Sequence, residues 1–105
     1  MTTTEIAWLA GLYEGEGCLN KDKRRKASYR INIVMTDKDV IERLGRVSGV
    51  GKVRGQTKQE AHHKDQYRWT VHKRKDIRSI LSNILPYLGD RRAHDALNAL
   101  DAIEL

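Results

Sequence analysis

The sequence predicts an α+β domain in which one antiparallel sheet carries its helices on a single face. Three observations lead there. Apolar residues recur at helical spacing in four segments and alternate at strand spacing in two others. The elements follow the order α-β-β-α-β-β-α-α, so each half of the chain holds a hairpin followed by a helix, a pattern that stacks helices on one side of one sheet. Finally, 105 residues suit a single domain spanning 1–105, and no linker, low-complexity segment or residue-level repeat divides it.

Taken in order, Ile6, Leu9, Ala10 and Tyr13 mark a first helix over 5–14, with Thr4 as its N-cap and Glu5 in the first turn. Gly15 and Gly17 end it. A short strand over 18–22 and a charged hairpin tip over 23–27 follow. Tyr29, Ile31, Ile33 and Met35 then alternate with Arg30, Asn32, Val34 and Thr36, the period of a strand with one buried face. Asp37 or Asp39 caps a second helix whose stripe is Val40, Ile41, Leu44 and Val47, and Gly49-Val50-Gly51 breaks it. A third strand over 52–56 leads into a polar loop over 57–65. The return strand places Tyr67, Trp69 and Val71 opposite in phase to Gln66, Arg68, Thr70 and His72. A third helix from Asp76 carries Ile77, Ile80, Leu81, Ile84 and Leu85 until Pro86 closes it. Asp90 caps a last helix with Ala93, Leu97, Leu100 and Ile103.

Composition narrows the function. Two Trp, four Tyr and no Phe leave the core to aliphatic side chains. Lys and Arg outnumber Asp and Glu by 20 to 14, a formal charge of +6 that favours polyanionic partners. The single Cys18 excludes an intramolecular disulfide and any Cys-based zinc site. His62, His63, His72 and His94 lack metal-site spacing, and Trp8 and Trp69 read as packing residues. Residues 1–5 do not resemble a secretory signal, and no apolar run reaches membrane-spanning length. The expectation is a soluble intracellular protein, in the cytoplasm or an organelle, with neither a membrane nor a small-molecule substrate as partner.

Ala7, Gly11 and Gly15 stand four apart on one stripe of the first helix, where another backbone can approach closely. Spacing alone fits equally a helix set against its own domain and one set against a second copy. Glu14 and Glu16 flank Gly15 where the helix ends. Carboxylates there face the negative pole of the helix, an unfavourable place that a hard divalent cation relieves. Two solvated glutamates on a surface turn would leave the same sequence trace.

The nonapeptide Leu9-Ala10-Gly11-Leu12-Tyr13-Glu14-Gly15-Glu16-Gly17 resembles the LAGLIDADG motif of homing endonucleases, with five of nine positions identical and Glu at both acidic positions. Gly49-Val50-Gly51-Lys52-Val53 is similar to the family's entry into its third strand, and Leu85-Pro86-Tyr87-Leu88 to the end of its third helix. The family's αββαββα order covers almost the whole chain.

The resemblance implies a saddle-shaped antiparallel sheet and a single-motif subunit that acts as a homodimer. The first helices would pair through Ala7, Ala10, Gly11, Glu14 and Gly15. Glu16, with Gly15 beside it, would bind Mg2+ or Mn2+ for the hydrolysis of double-stranded DNA, and the two-fold axis implies a palindromic or nearly palindromic target. Lys75 matches the segment carrying the basic active-site residue, Asp37 a polar position near the scissile phosphates, and Glu14 a supporting acid. The sheet face away from the core would meet DNA through Arg30, Asn32, Lys52, Arg54, Gln56, Gln66, Arg68, Thr70 and His72, side chains suited to reading bases. Lys21, Lys23, Arg24, Arg25 and Lys26 would grip phosphates. The competing expectation is a non-catalytic DNA- or RNA-binding protein, a regulator or intron maturase, on the same fold. An intein origin is least expected, because splicing residues are absent.

Overall fold

A computed structural model describes residues 1–25, 28–56 and 65–104. Most of the polar loop, His62 and His63 included, and the tip residue Lys26 lie outside these residues. The elements are α1 (Thr3–Glu16), β1 (Gly17–Lys21), β2 (Tyr29–Met35), α2 (Lys38–Ser48), β3 (Lys52–Gln56), β4 (Gln66–Val71), α3 (Arg74–Ile84), a 3-10 turn (Leu85–Tyr87) and α4 (Asp90–Glu104). The predicted fold class holds: four helices cover one face of a four-stranded sheet.

The strands run β1-β2-β4-β3, every neighbour antiparallel. The register places Gly17 opposite Ile33, Ile33 opposite Trp69, and Trp69 opposite Val53. The start of β1 therefore lies at the same end of the sheet as the finish of β2. Ile31, Ile33, Trp69 and Val71 point to the helices and are fully buried, and the core closes over them with Leu9, Ala10, Tyr13, Ile41, Leu44, Ile77, Ile80, Leu81 and Ile84. Burying each large apolar side chain contributes roughly 1.5–3 kcal/mol before entropy is counted. Trp69 also donates its indole N–H to the Val50 carbonyl at 3.0 Å, so its one polar atom is satisfied.

Several local expectations shift. Thr2, not Thr4, caps α1: its hydroxyl accepts the Glu5 amide at 3.1 Å, and its own amide donates to the Glu5 carboxylate at 2.7 Å. That backbone donation holds the Glu5 carboxyl below the usual carboxylate range. The helix also runs two residues further than expected, so Glu14 and Glu16 belong to its last turn. Asp37 stands at the N-cap of α2 but makes no side-chain capping bond. α3 begins at Arg74 instead of Asp76, and Asp90 is the first residue of α4 and not its cap. On α4 the buried stripe is Ala96, Ala99 and Ile103, whereas Leu97 is 47 % exposed. Leu97 alone misplaces the face: Leu100 packs partly buried against the core beside Ala96, Ala99 and Ile103, and α4 contacts α3 and the 3-10 turn. Gly51, at φ 81°, is needed where β3 begins: a Cβ there would meet the Thr70 carbonyl at 2.7 Å. Among the described residues no helix is long and apolar enough to cross a membrane.

Candidate DNA-cleavage site and nucleic-acid interface

The junction between α1 and β1 presents the acidic pair. No basic residue occupies the last turn of α1. Gly17 makes the turn out of the helix directly above Tyr13, and its amide donates to the Tyr13 carbonyl. A Cβ on Gly17 would lie 2.6 Å from that carbonyl oxygen, so only glycine allows the strand to leave this close to the helix. The two carboxylates then have different fates. Glu14 turns back onto its own chain, where it accepts the Gly89 amide at 2.5 Å and pairs with Arg92 at 3.5 Å. Glu16 is exposed, and its side chain has no hydrogen bond or ion pair among the described residues.

The small-residue stripe divides sharply. Ala7, Gly11 and Gly15 are exposed, and Cβ atoms built on Gly11 and Gly15 meet nothing within 4 Å. The two glycines of the stripe therefore do not serve packing within the chain. Two residues expected on it behave otherwise. Ala10 is 1 % exposed and belongs to the subunit's own core, because it sits three residues from Tyr13 on the buried side of the helix. Glu14 is held by α4, as above.

Lys75 also departs from expectation. β4 runs away from the Glu16 end of the sheet, since Val71 pairs with Ile31 and Tyr29 with Lys21. Lys75, at the start of α3, follows at that far end and does not join Glu16 within the subunit. Asp37, just beyond β2, does lie at the Glu16 end and is exposed. The basic side chain that reaches the junction is Arg92 from α4, whose Nη1 donates to the Gly17 carbonyl at 2.6 Å. Sequence reasoning missed it because no local pattern links residues 75 positions apart.

Away from the helices, the strand register aligns Cys18, Asn32, Thr70 and Lys52 in one row across all four strands. Asn20 and Arg30 form a neighbouring row, and Val34, Arg68 and Arg54 another. Gln66 pairs with Gln56 toward the end of β3, and His72 follows β4. None of these positions carries a carboxylate. Arg54 stands directly opposite Arg68, a like-charge pairing that costs stability in a sheet and that a polyanion would relieve. The centre of the face is laced by hydrogen bonds. Thr70 Oγ1 donates to Asn32 Oδ1 at 2.9 Å, Asn32 Nδ2 to Asn20 Oδ1 at 3.3 Å, and Cys18 Sγ to the same oxygen at 3.2 Å. Asn20 and Cys18 were not among the residues expected on this face, although strand alternation about the inward-facing Leu19 places its two neighbours there.

Beyond the sheet, the turn after β1 is tied by Asp22, whose amide donates to the Ser28 carbonyl at 2.8 Å and whose carboxylate accepts the Arg24 amide at 2.9 Å. A groove of about 660 Å³ lies beside it, walled by Lys21, Lys23, Arg25, Arg30 and His72 among others. Phosphates suit such a wall better than any neutral ligand.

Among the described residues no cluster of three or more His, Cys, Asp or Glu could hold a metal ion. Glu16 nevertheless suits a hard divalent cation: it is an exposed oxygen donor without a protein partner, beside the last carbonyls of α1 that the helix cannot satisfy. One chain supplies one such carboxylate.

A family profile described as a LAGLIDADG-like domain matches residues 3–85. No curated protein is matched by sequence. Among solved structures, the homing endonuclease I-CvuI in complex with its target superposes with a TM-score of 0.76 at 20% identity, over 97% of this chain and 67% of that one. The homing endonuclease I-TnaI gives 0.69 at 20% identity, over 98% and 71%. The group I intron-encoded homing endonuclease I-CeuI, complexed with DNA, gives 0.74 at 18% identity, over 99% and 56%. At these identities the likeness establishes the fold, and the chain spans about two thirds of the length of the first of them.

Proposed function

The chain belongs to the LAGLIDADG homing-endonuclease family, and from that premise we propose that it is a site-specific double-stranded DNA endonuclease that works as a homodimer with Mg2+ or Mn2+. The single observation that carries this reading is the exposed, unpartnered Glu16 at the end of a helix whose small-residue stripe is open. One carboxylate is an incomplete site. Apposing two stripes through Ala7, Gly11 and Gly15 brings two copies of Glu16 together and completes it.

In that dimer the chain's own groups do four things. Each Glu16, helped by the Gly15 carbonyl, offers oxygen ligands where the scissile phosphates pass. Asp37, with its carboxylate not engaged in capping, holds an ordered water near the same strand. Arg30, Lys52, Arg54 and Arg68 set the DNA against the sheet, with Gln66, Gln56, Asn32, Thr70 and His72 placed to read base edges. Lys21, Lys23, Arg24 and Arg25 grip the flanking backbone. A bound divalent ion supplies an activated water and offsets the charge that builds on the leaving oxygen.

The test is cleavage of a plasmid library carrying randomised palindromic inserts, with and without Mg2+. Recovery of one target cut only with the metal, and loss of cutting but not of binding in Glu16→Gln, is the expected result. Sequence-specific binding with no cutting under any divalent ion would leave a DNA-binding protein and would falsify the nuclease reading.

A further inference from the structure

We propose that Arg92 is a positioning residue that holds Glu16 in its metal-binding orientation from a segment beyond the family match; this rests on the nuclease reading above. Besides the pairing of β1 with β2 and the Gly17 amide on the Tyr13 carbonyl, three polar contacts tie down the junction that carries Glu16, and all three come from residues 89–92. Nη1 of Arg92 donates to the Gly17 carbonyl at 2.6 Å, immediately after Glu16. Its Nε lies 3.5 Å from Glu14 Oε2, two residues before Glu16. The other oxygen of that carboxylate accepts the Gly89 amide at 2.5 Å. The guanidinium carbon stands 5.3 Å from the centre of the Tyr13 ring, so the clamp rests on the core residue beneath the turn. Glu16 is thus bracketed on both sides while its own side chain stays unengaged.

Two further observations separate this from an ordinary ion pair. The Arg92 side chain is only 16% exposed, so its head is not offered to DNA. Its Nε is buried without an aligned hydrogen bond, the ion-pair distance to Glu14 notwithstanding. Leaving a buried donor unmatched costs stability, and packing for its own sake would be served more cheaply by an apolar side chain. The family profile ends at residue 85, whereas the clamp arises on α4. Groups that orient a metal-holding side chain without touching the metal commonly alter affinity or rate by about 10- to 100-fold.

The experiment compares the full-length wild type with Arg92→Met, which keeps the stem over Tyr13 and removes both polar contacts, and with Arg92→Lys. Arg78→Met removes an exposed pair with Glu104 on the helix layer and serves as the charge-matched control. Cleavage of the selected target is titrated with Mg2+, DNA affinity is measured in Ca2+, and amide hydrogen exchange is followed at Gly15 to Cys18. For Arg92→Met the Mg2+ midpoint should rise about tenfold or more, with DNA affinity within about threefold and faster exchange at the junction. Arg92→Lys, which reaches one of the two acceptors, should recover part of the shift, and it carries the test if the methionine variant does not fold. An unchanged Mg2+ midpoint in a folded Arg92 variant, with wild-type cleavage intact, overturns the proposal alone. A wild type that never cuts overturns the nuclease reading, and this inference with it.

Discussion

Gly17 and Tyr13 show how much of the site depends on single atoms. The phenol ring is buried below the helix–strand junction, and burial pushes its pKa above the ordinary value while the nearby Arg92 charge pulls the other way. The strand leaves the helix across this ring with no room for a methyl group. Gly17→Ala should therefore open the junction and destabilise the fold by about 2 kcal/mol, seen as a melting temperature lower by roughly ten degrees. A melting curve that does not move would mean that the junction has more room than its geometry implies. Glu14 and Glu16 make the complementary point. They are two residues apart and chemically alike, yet Glu14 is engaged in a fold contact and Glu16 has no hydrogen bond or ion pair among the described residues. Their spacing in the sequence is symmetrical about Gly15; what distinguishes them is α4, which arrives from the far end of the chain.

At the level of elements, α1 has two sides with opposite demands. Leu9, Ala10 and Tyr13 enter the core, whereas Ala7, Gly11 and Gly15 are exposed, with open space where a Cβ on either glycine would lie. Gly11→Leu tests the outer side. Glycine is about 1 kcal/mol worse than a good helix former in a helix interior, so the isolated chain should keep or gain stability while the proposed dimer is lost. Sedimentation equilibrium together with a far-ultraviolet spectrum reads both effects. A dimer of unchanged affinity would remove the stripe from the interface. Most of this level was legible in the sequence, because Ile31, Ile33, Trp69 and Val71 announce their face by strict alternation and Ile77, Ile80, Leu81 and Ile84 by helical spacing. What was not legible has a common physical cause. Ala10 and Gly11 look equally small, and only the rotation of α1 against the core separates them. Ala96 and Ala99 carry too little hydrophobicity to outvote Leu97. Lys75 falls in a segment that resembles the family's, but strand direction carries it to the end of the sheet away from Glu16.

For the molecule as a whole, charge is arranged and not merely abundant. The acid-free sheet face and the basic turn lie outside the helix layer, so two subunits joined along α1 would present them to one continuous duplex. Replacing Lys23, Arg24 and Arg25 with glutamine should weaken binding to specific and random DNA alike. The plot of log affinity against log salt should become shallower by roughly one for each phosphate that the variant no longer neutralises. Equal slopes for both proteins would take the turn out of the interface. The same geometry limits how recognition can change. Thr70, Asn32, Asn20 and Cys18 hold one another in one chain of hydrogen bonds, so exchanging any one of them should reorient its neighbours. For the DNA-reading role proposed above, retargeting this surface is then a problem of epistasis: single substitutions at its centre should not compose, and a new preference would have to be rewired across three strands together, twice over in the proposed symmetric pair.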